Sequence, residues 1–221
     1  MIEFSHVYKT FNGSIKALKN IDLKIGKGEF VFLTGPSGAG KSTLFRLISG
    51  YDKVTSGAIR VAGFDLSKIQ NSEMPFFRRK IGVVFQDFKL LADRTIFENI
   101  ALPLEIRGEN PDVVSKKVTD VLHKVGLSHK RDHYPETLSG GEQQRTAIAR
   151  ALISQPGVLI ADEPTGNLDP KLSEEIMSLL MRVSEQGTTV FVATHDERLV
   201  QKFGKRRIHI VNGEIAGAAN A

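Results

Sequence analysis

Cysteine is absent from this chain of 221 residues. Its absence excludes disulfide bonds and cysteine-based metal sites, and it fits a protein of a reducing compartment. Long apolar runs are also missing, since no uninterrupted stretch approaches the roughly 18 residues of a membrane-spanning helix. Residues 1–6 lack the basic and apolar regions of a secretory leader. We therefore expect a protein that carries no leader and does not itself cross a membrane.

The chain also lacks a basic stripe interleaved with aromatic residues, so we expect no nucleic acid partner. Its net charge of +5 nevertheless includes basic groups at 78–80 and 202–207. Such groups are typical of solvated faces, and they also suit contact with an anionic membrane surface. The hydrophobic content of 41% is enough for the core of one large α/β domain.

One segment, 35–42, has the pattern of a phosphate-binding loop, G-x-x-x-x-G-K-S. It follows the apolar run 29–34, which is typical of a parallel strand buried on both faces. Glycines let the loop bend so that backbone N–H groups point inward, and a helix beginning near Lys41 adds its positive dipole end. Lys41 is expected to reach the β- and γ-phosphates, and the Ser42 hydroxyl to ligate Mg²⁺. We assign nucleotide binding to Gly35, Pro36, Ser37, Gly38, Ala39, Gly40, Lys41, Ser42 and Thr43.

A second apolar run, 158–161, ends in the acidic pair Asp162 and Glu163 before Pro164. Open α/β sheets bind ligands at the carboxyl ends of their strands. Asp162 is therefore predicted to hold the metal ion, directly or through water. Glu163 is predicted to point differently, because neighbouring strand residues alternate, and to orient or deprotonate the attacking water. The alternative, two solvated acids at a strand end, is disfavoured by the phosphate-binding loop upstream.

A third segment combines a helix cap with a pair of glycines: Ser139, Gly140, Gly141 and Glu142. Ser139 and Glu142 stand three residues apart, as in a capping box. A cap alone does not require two consecutive glycines, which expose backbone N–H groups at the helix N-terminus. The segment therefore predicts a second anion site, and one chain carries two half-sites for one nucleotide.

With these segments in this order, the sequence resembles the ATP-binding cassette (ABC) family over nearly its whole length. In that family the Ser-Gly-Gly segment faces the γ-phosphate held by the phosphate-binding loop of a second cassette, so that two ATP molecules lie between two subunits. The resemblance implies an ATPase that binds ATP and Mg²⁺. Since each motif occurs once here, it also implies a homodimer that forms on ATP binding. GTPases are disfavoured because the guanine-reading motif Asn-Lys-x-Asp is absent.

The resemblance also implies roles for single residues. It makes Gln86 the glutamine that touches Mg²⁺ and the nucleophilic water, and His195 the histidine that contacts the γ-phosphate. Asp169 belongs to the loop 167–169 that crosses between subunits, and Phe11 stands where an aromatic ring stacks on adenine. The implied catalytic residues are Glu163, His195 and Gln86, and the implied metal ligands are Ser42, Gln86 and Asp162.

The implied fold is an α/β, P-loop NTPase, ABC-type nucleotide-binding domain with a mainly parallel core sheet, an antiparallel β layer and a helical subdomain. The core and the antiparallel layer comprise residues 1–86 and 156–221, and the helical subdomain comprises 87–155. The residues themselves support the helical part, because a helix opened by Pro111 keeps helical apolar spacing until Gly126.

Shorter patterns predict the edges of this fold. Apolar residues alternate at 21–25 and more loosely at 57–61 and 2–7, which favours strands of the antiparallel layer. The dipeptide at 212–213, Asn-Gly, indicates a hairpin turn. We expect the small-residue tail, 216–221, to be frayed.

The segment 87–101 is similar to the cell-division branch of the family. This similarity implies an integral membrane partner, a peripheral position at the cytoplasmic face of the inner (plasma) membrane, and ATP-driven motion transmitted to cell-wall hydrolases. An ATPase subunit of a lipoprotein-releasing or macrolide-type transporter is the alternative, and a soluble ABC protein is disfavoured by the length of the chain. The apolar residues Phe88, Leu90, Leu91 and Phe97 either help to form a groove for a partner's helix or lie buried within the subunit.

Overall fold

The computed structural model describes residues 1–219, with side chains to residue 217. The strands are β1 (Ile2–Phe11), β2 (Ile15–Ile25), β3 (Phe30–Thr34), β4 (Ser56–Val61), β5 (Phe64–Asp65), β6 (Ile81–Val84), β7 (Val158–Asp162), β8 (Thr189–Ala193), β9 (Arg206–Val211) and β10 (Glu214–Ala219). The helices are α1 (Lys41–Ile48), α2 (Met74–Arg78), α3 (Ile96–Glu105), α4 (Pro111–Lys124), α5 (Gly140–Leu152), α6 (Pro170–Glu185) and α7 (Glu197–Phe203). Within residues 1–219 every helix falls short of the length or apolar character that a membrane crossing requires.

The strands form two sheets of different character. The larger sheet has the order β10-β9-β3-β8-β7-β6, in which β10 alone pairs in the antiparallel sense. The smaller sheet, β2-β1-β4-β5, is antiparallel throughout. The prediction of a mainly parallel core sheet beside an antiparallel β layer is thus confirmed.

The central strands of the larger sheet, β3 and β8, are buried on both faces, which explains why they are apolar along almost their whole length. Every residue of β3 and of β8 is buried. Phe30 and Phe32 belong to one hydrophobic core, whereas Val31 and Leu33 belong to a second one. Because side chains alternate along a strand, a single short strand supports both cores.

The first core lies between the larger sheet and the helices α3 to α6. It joins Ile100 of α3, Val118 of α4 and Ile148 of α5 to Val192 of β8. Helix α4 begins at Pro111 as the sequence predicts. The residues 87–155 therefore contain three helices that pack on one face of the sheet, and their division from the core at 86/87 and 155/156 stays a prediction.

The second core lies between the other face of the sheet, the antiparallel sheet and α1. It joins Leu33 of β3 to Ile21 of β2 and Leu44 of α1. The helix α1 is thereby fixed beneath the loop that connects it to β3. This packing places the phosphate-binding loop at the carboxyl edge of the larger sheet.

A hairpin of β9 and β10 completes the larger sheet. Its turn consists of Asn212 and Gly213, both with positive φ (51° and 80°), which confirms the predicted hairpin. The expectation of fraying is wrong for residues 216–219, because they form the end of β10 and pair with β9. Ladder hydrogen bonds come from the backbone, so small side chains do not prevent this pairing. Residues 220 and 221 lie outside the described residues.

Candidate nucleotide-binding site

A cavity of about 1010 Å³ opens where four parallel strands, β3, β6, β7 and β8, end. All of residues 35–43 except Ala39 line it. Gln86, Asp162 and Glu163, which follow or end β6 and β7, line it as well, together with His195 after β8. The fold therefore brings together most of the residues to which the sequence assigns nucleotide chemistry.

The phosphate-binding loop needs glycine at two positions for steric reasons. Gly35 has φ 150° and Gly40 has φ 110°, both in the region that side chains rarely adopt. A Cβ atom at Gly35 would overlap the carbonyl oxygen of Ile210 in β9, and one at Gly40 would lie 2.9 Å from the carbonyl oxygen of Ala17 in β2. The loop is thus pressed between two strands, and its backbone N–H groups remain free of side chains.

The lysine of the loop is held by carbonyl oxygens of the loop itself. The Lys41 ammonium donates to the carbonyl oxygens of Gly35 at 2.7 Å and Pro36 at 3.0 Å. Ala39 is buried, and its N–H donates to Pro36, which explains why this residue stands behind the cavity wall. A positive charge, a glycine cradle and the N-terminus of α1 meet at one point, which is the arrangement that phosphate prefers.

Oxygen ligands for a hard cation lie beside this lysine. Burial raises the pKa of Asp162, while a hydrogen bond with Ser42 and the charge of Lys41 act in the opposite direction. Gln86 adds a side-chain amide on the same cavity wall. A hydroxyl, a carboxylate and an amide are ligands that suit Mg²⁺, and a cation there would stabilise the ionised form of Asp162.

The second carboxylate points into the cavity for a reason that the sequence did not reveal. β7 ends at Asp162, and Glu163 follows with a left-handed backbone, φ 48°. The prediction that strand alternation sets the direction of the Glu163 side chain is therefore wrong, because a left-handed turn of the backbone redirects it. A left-handed conformation costs a non-glycine residue about 1 kcal/mol or more. The N–H of Glu163 donates to the carbonyl of Ala193 at 3.0 Å, which holds this strained turn against β8.

Glu163 and His195 form a pair at the cavity wall. Nδ1 of His195 lies 2.8 Å from Oε2 of Glu163, so the imidazole donates to the carboxylate at this nitrogen. The Glu163 side chain is 14% exposed, whereas that of His195 is 71% exposed. The histidine thus orients a partly covered carboxylate while the rest of its ring faces open space.

The Ser139 to Glu142 segment does not reach this cavity. Among the described residues that line the cavity, none belongs to 139–142. Ser139 and Glu142 form the predicted capping box of α5, with Ser139 N–H donating to Glu142 Oε2 at 2.8 Å. These hydrogen bonds lower the pKa of Glu142, because they stabilise its ionised form. Within one chain the two predicted half-sites remain apart.

Asp169 and Phe11 also lie off the cavity wall. Asp169 caps α6, where its Oδ1 accepts from the N–H groups of Lys171 at 3.0 Å and Leu172 at 3.1 Å. The ring of Phe11 is covered on one face by the Lys9 ammonium, 4.6 Å from the ring centroid. Neither residue is among those that line the cavity within the described part of the chain.

Sequence reasoning missed a group of lining residues from β2 and the C-terminal turn. They are Ile15, Lys16, Ala17, Lys19, Asn212 and Gly213. Ile15 pairs with Phe11 across β1 and β2 and is 60% exposed, so an apolar side chain borders the cavity. An exposed isoleucine beside two lysines was the available signal, but the pairing that brings them to the phosphate-binding loop is long-range.

The two glycines of α5 differ in the room around them, and their alanine variants are expected to differ accordingly. A Cβ atom at Gly141 would overlap the side chain of Leu172 in α6, whereas one at Gly140 would lie 3.5 Å from Leu168. We expect Gly141→Ala to lower the free energy of unfolding by about 1–3 kcal/mol through overpacking. Gly140→Ala is expected to leave it unchanged or slightly raised, because alanine favours helix.

Urea denaturation of both variants measures this difference. Equal midpoints for the two would show that the close approach of Leu172 is not what requires glycine at 141. Among the described residues, Gly140 meets only the ordinary contact with Leu168, so an alanine there has room.

Known families and proteins with similar sequences agree with the nucleotide-binding site described above. Residues 18–166 match the family described as ABC transporter. The cell division ATP-binding protein FtsE of Bacillus subtilis (strain 168) is 52% identical over 215 residues, covering 97% of this chain and 94% of that protein. The protein of the same name from Escherichia coli (strain K12) is 46% identical over 217 residues, covering 98% of each.

Solved structures agree in fold and in activity. A dimeric ATP-binding cassette in a post-hydrolysis state, bound to ADP and Pi, superposes with a TM-score of 0.90 at 40% identity, covering 100% of this chain and 98% of that one. The protein cbiO1 from Clostridium perfringens, part of the ABC transporter complex cbiONQ, superposes with a TM-score of 0.92 at 31% identity, covering 99% of this chain and 88% of that one. These matches establish ATP binding and hydrolysis as the activity of the chain. The chain belongs to the ABC transporter family, as one of its ATP-hydrolysing cassettes.

Proposed function

We propose that the chain is the ATPase subunit of a membrane complex of cell division and that it works as a dimer of two copies. Its relatives are named cell division ATP-binding protein FtsE, which supports a role in cell division. The observation that carries the dimer is the separation of the half-sites: the cavity holds the phosphate-binding loop, and the Ser139–Gly140 helix end lies elsewhere. A second copy completes the site by placing that helix end over the cavity, and a related cassette has been solved as a dimer.

The phosphate-binding loop and its lysine are proposed to hold the β- and γ-phosphates of ATP. The fixed positive charge of Lys41 and the N–H groups of the glycine cradle face the cavity. Ser42, Gln86 and Asp162 are proposed to hold Mg²⁺, directly or through water. When bound, Mg²⁺ neutralises charge that develops on the phosphate oxygens. Ser139 and Gly140 of the partner copy donate hydrogen bonds to the γ-phosphate from the opposite side.

Glu163 is proposed to orient and deprotonate the attacking water. Its carboxylate already points into the cavity and accepts from His195, which leaves the second oxygen for a water molecule. His195 keeps the carboxylate in place and meets the γ-phosphate with the exposed part of its ring. Gln86 contacts the same water from the next strand end.

The adenine base is proposed to lie against the cross-strand pair Phe11 and Ile15 at the outer end of the cavity. Lys9 covers one face of the Phe11 ring, so the other face is the one that adenine meets. Ile15, 60% exposed on the cavity wall, offers a second apolar contact. Asp169, the cap of α6, is proposed to stand at the contact between the two copies.

The partner in the membrane is proposed to be an integral protein resembling FtsX, at the cytoplasmic face of the inner membrane. Part of the apolar segment after Gln86 is available to it, since Leu91 is 38% exposed. Phe97 offers less surface, because it is half-buried against the first core and Arg131 lies over its ring at 4.3 Å. ATP cycling in the dimer then moves this partner and, through it, cell-wall hydrolases outside.

Light scattering with and without ATP tests the dimer. We expect the mass to double when ATP is added under conditions of slow hydrolysis. Lys41→Ala is the control, because it should bind nucleotide weakly and stay a single copy. A nucleotide-loaded chain that stays single and still hydrolyses ATP at full rate would contradict the shared site.

Purification from membranes tests the complex. The tagged chain is extracted from native membranes, and the polytopic proteins that accompany it are identified. A partner with four spans and a large extracytoplasmic domain, together with a division defect on depletion, is the expected result. Measurable movement of a cargo would instead favour a transporter of the lipoprotein-releasing or macrolide type.

A further inference from the structure

The loop that follows Gln86 has an unusual backbone. Phe88 and Lys89 are consecutive, neither is glycine, and both have positive φ, 58° and 49°. Each left-handed residue of this kind costs about 1 kcal/mol or more. Such a backbone persists only where neighbouring groups hold it in place.

At Phe88 and Lys89 the loop is held by the guanidinium of Arg150, and farther along, at Leu91, it is held by the buried Asn99. Nη1 of Arg150 donates to the carbonyl oxygen of Lys89 at 2.6 Å and its Nη2 to that of Phe88 at 2.8 Å. Both left-handed residues are thus fixed by one planar fork, which a lysine cannot reproduce. The Arg150 side chain is half-buried, and this burial lowers the pKa of its guanidinium.

Arg150 belongs to the last turns of α5, and this end of the helix is anchored. The carbonyl oxygen of Ala151 lies so close to β6 that a Cβ atom at Gly82 would stand 2.7 Å from it. Strand β6 leads directly to Gln86. The other end of α5 carries the Ser139 cap, where Ser139 and Gly140 are exposed. An α-helix of this length is a rigid rod of about 1.5 Å per residue, so a tilt at Arg150 moves the cap.

We propose that Arg150 is a positioning residue that ties the loop after Gln86 to α5. When Gln86 takes its position at the chain's own nucleotide, the fork fixes the orientation of α5. That orientation determines how Ser139 faces the nucleotide of the partner copy. The inference rests on the proposed dimer, in which Gln86 acts in its own site and Ser139 in the other. Arg150 thereby links the two sites of the dimer without touching either nucleotide.

The test compares Arg150→Met and Arg150→Lys with the same changes at Arg206. Arg206 also donates to a main-chain carbonyl, that of Lys24 at 3.0 Å, but it lies in β9 away from this loop. Because the chain has no cysteine, a spin label at Asp87→Cys, an exposed position directly before Phe88 and Lys89, reports on this part of the loop alone. Hydrolysis rates and nucleotide affinity are measured in the unlabelled variants.

Arg150→Met is expected to raise the mobility of the label and to lower kcat by about 10- to 100-fold, because small misplacements of catalytic groups cost this much. Nucleotide affinity of the single chain should change less than about threefold, since the phosphate cradle is untouched. The label mobility and kcat of Arg150→Lys should lie between those of the wild type and Arg150→Met, because lysine restores one hydrogen-bond donor. The variants at Arg206 should keep both mobility and kcat.

Two outcomes overturn the proposal: an unchanged kcat in Arg150→Met, with or without a mobile loop, or an equal loss in the Arg206 variants. If Arg150→Met does not fold, Arg150→Lys decides, and a full kcat at wild-type melting temperature counts against the fork. A wild-type chain that fails to dimerise with ATP would instead contradict the proposed function, so the two failures are distinguishable.

Discussion

Glu163→Gln is expected to lower kcat by at least about 100-fold while ATP binding is retained. The amide keeps the shape of the side chain and an oxygen that can accept from His195, but it cannot take a proton from water. The phosphate cradle and the metal ligands are unchanged by this substitution. ATP should therefore accumulate in a closed dimer, which light scattering detects as a stable doubling of mass.

A nearby carboxylate provides the control for this variant. Glu197 begins α7 two residues after His195, and its oxygens accept from Arg207 at 2.6 and 2.7 Å, outside the cavity wall. Glu197→Gln should change kcat by less than about threefold, because this carboxylate meets no nucleotide atom. Wild-type turnover in Glu163→Gln would contradict the role of that residue, whatever the control shows.

Ser139→Arg is expected to abolish ATP-driven dimerisation and, with it, hydrolysis. The side chain of Ser139 stands at the exposed N-terminus of α5, where the partner's nucleotide is proposed to bind. An arginine there would occupy the space of the γ-phosphate contact and would remove a helix cap. Binding of ATP to the single chain should persist, because the phosphate-binding loop is distant from this helix end. Light scattering and equilibrium nucleotide binding on the same sample measure both effects.

The chain contains a matched control for the loss of the cap. Thr95 and Glu98 form a second capping box, at α3, with Thr95 N–H donating to Glu98 Oε2 at 2.7 Å. Hydrogen bonds from Thr95 lower the pKa of Glu98, just as those from Ser139 do for Glu142. Thr95→Arg should lower the melting temperature about as much as Ser139→Arg but leave dimerisation intact. Dimer loss in both variants would mean that helix stability, and not the shared site, is what Ser139 provides.

Much of the site follows from short patterns because each pattern encodes its own local geometry. The phosphate-binding loop requires glycine where the backbone turns, and the apolar run before it requires burial on both sides. Both requirements appear in the sequence at 29–42 and in the structure as β3, the loop and α1. The capping box at Ser139 is equally local, and it too is present in the structure.

Features that depend on long-range packing could not be predicted in this way. The direction of the Glu163 side chain follows from a left-handed turn that is fixed by Ala193 of another strand. The sequence suggested strand alternation instead. Ile15 reaches the cavity only because β2 crosses the phosphate-binding loop. The guanidinium of Arg150 contacts Lys89 and Phe88, which lie 61 and 62 residues before it in the sequence. No pattern within a helix or a loop reports such contacts.

The C-terminal hairpin has a consequence for how the nucleotide cradle folds. Only glycine fits at position 35, because the carbonyl oxygen of Ile210 in β9 occupies the space that a side chain would need. The N–H of Gly213 donates to the carbonyl of Ala39 at 3.0 Å. The cradle thus joins two segments that are far apart in the sequence, the phosphate-binding loop and the β9–β10 hairpin. We therefore expect a complete cradle only in chains whose hairpin has already folded onto β3.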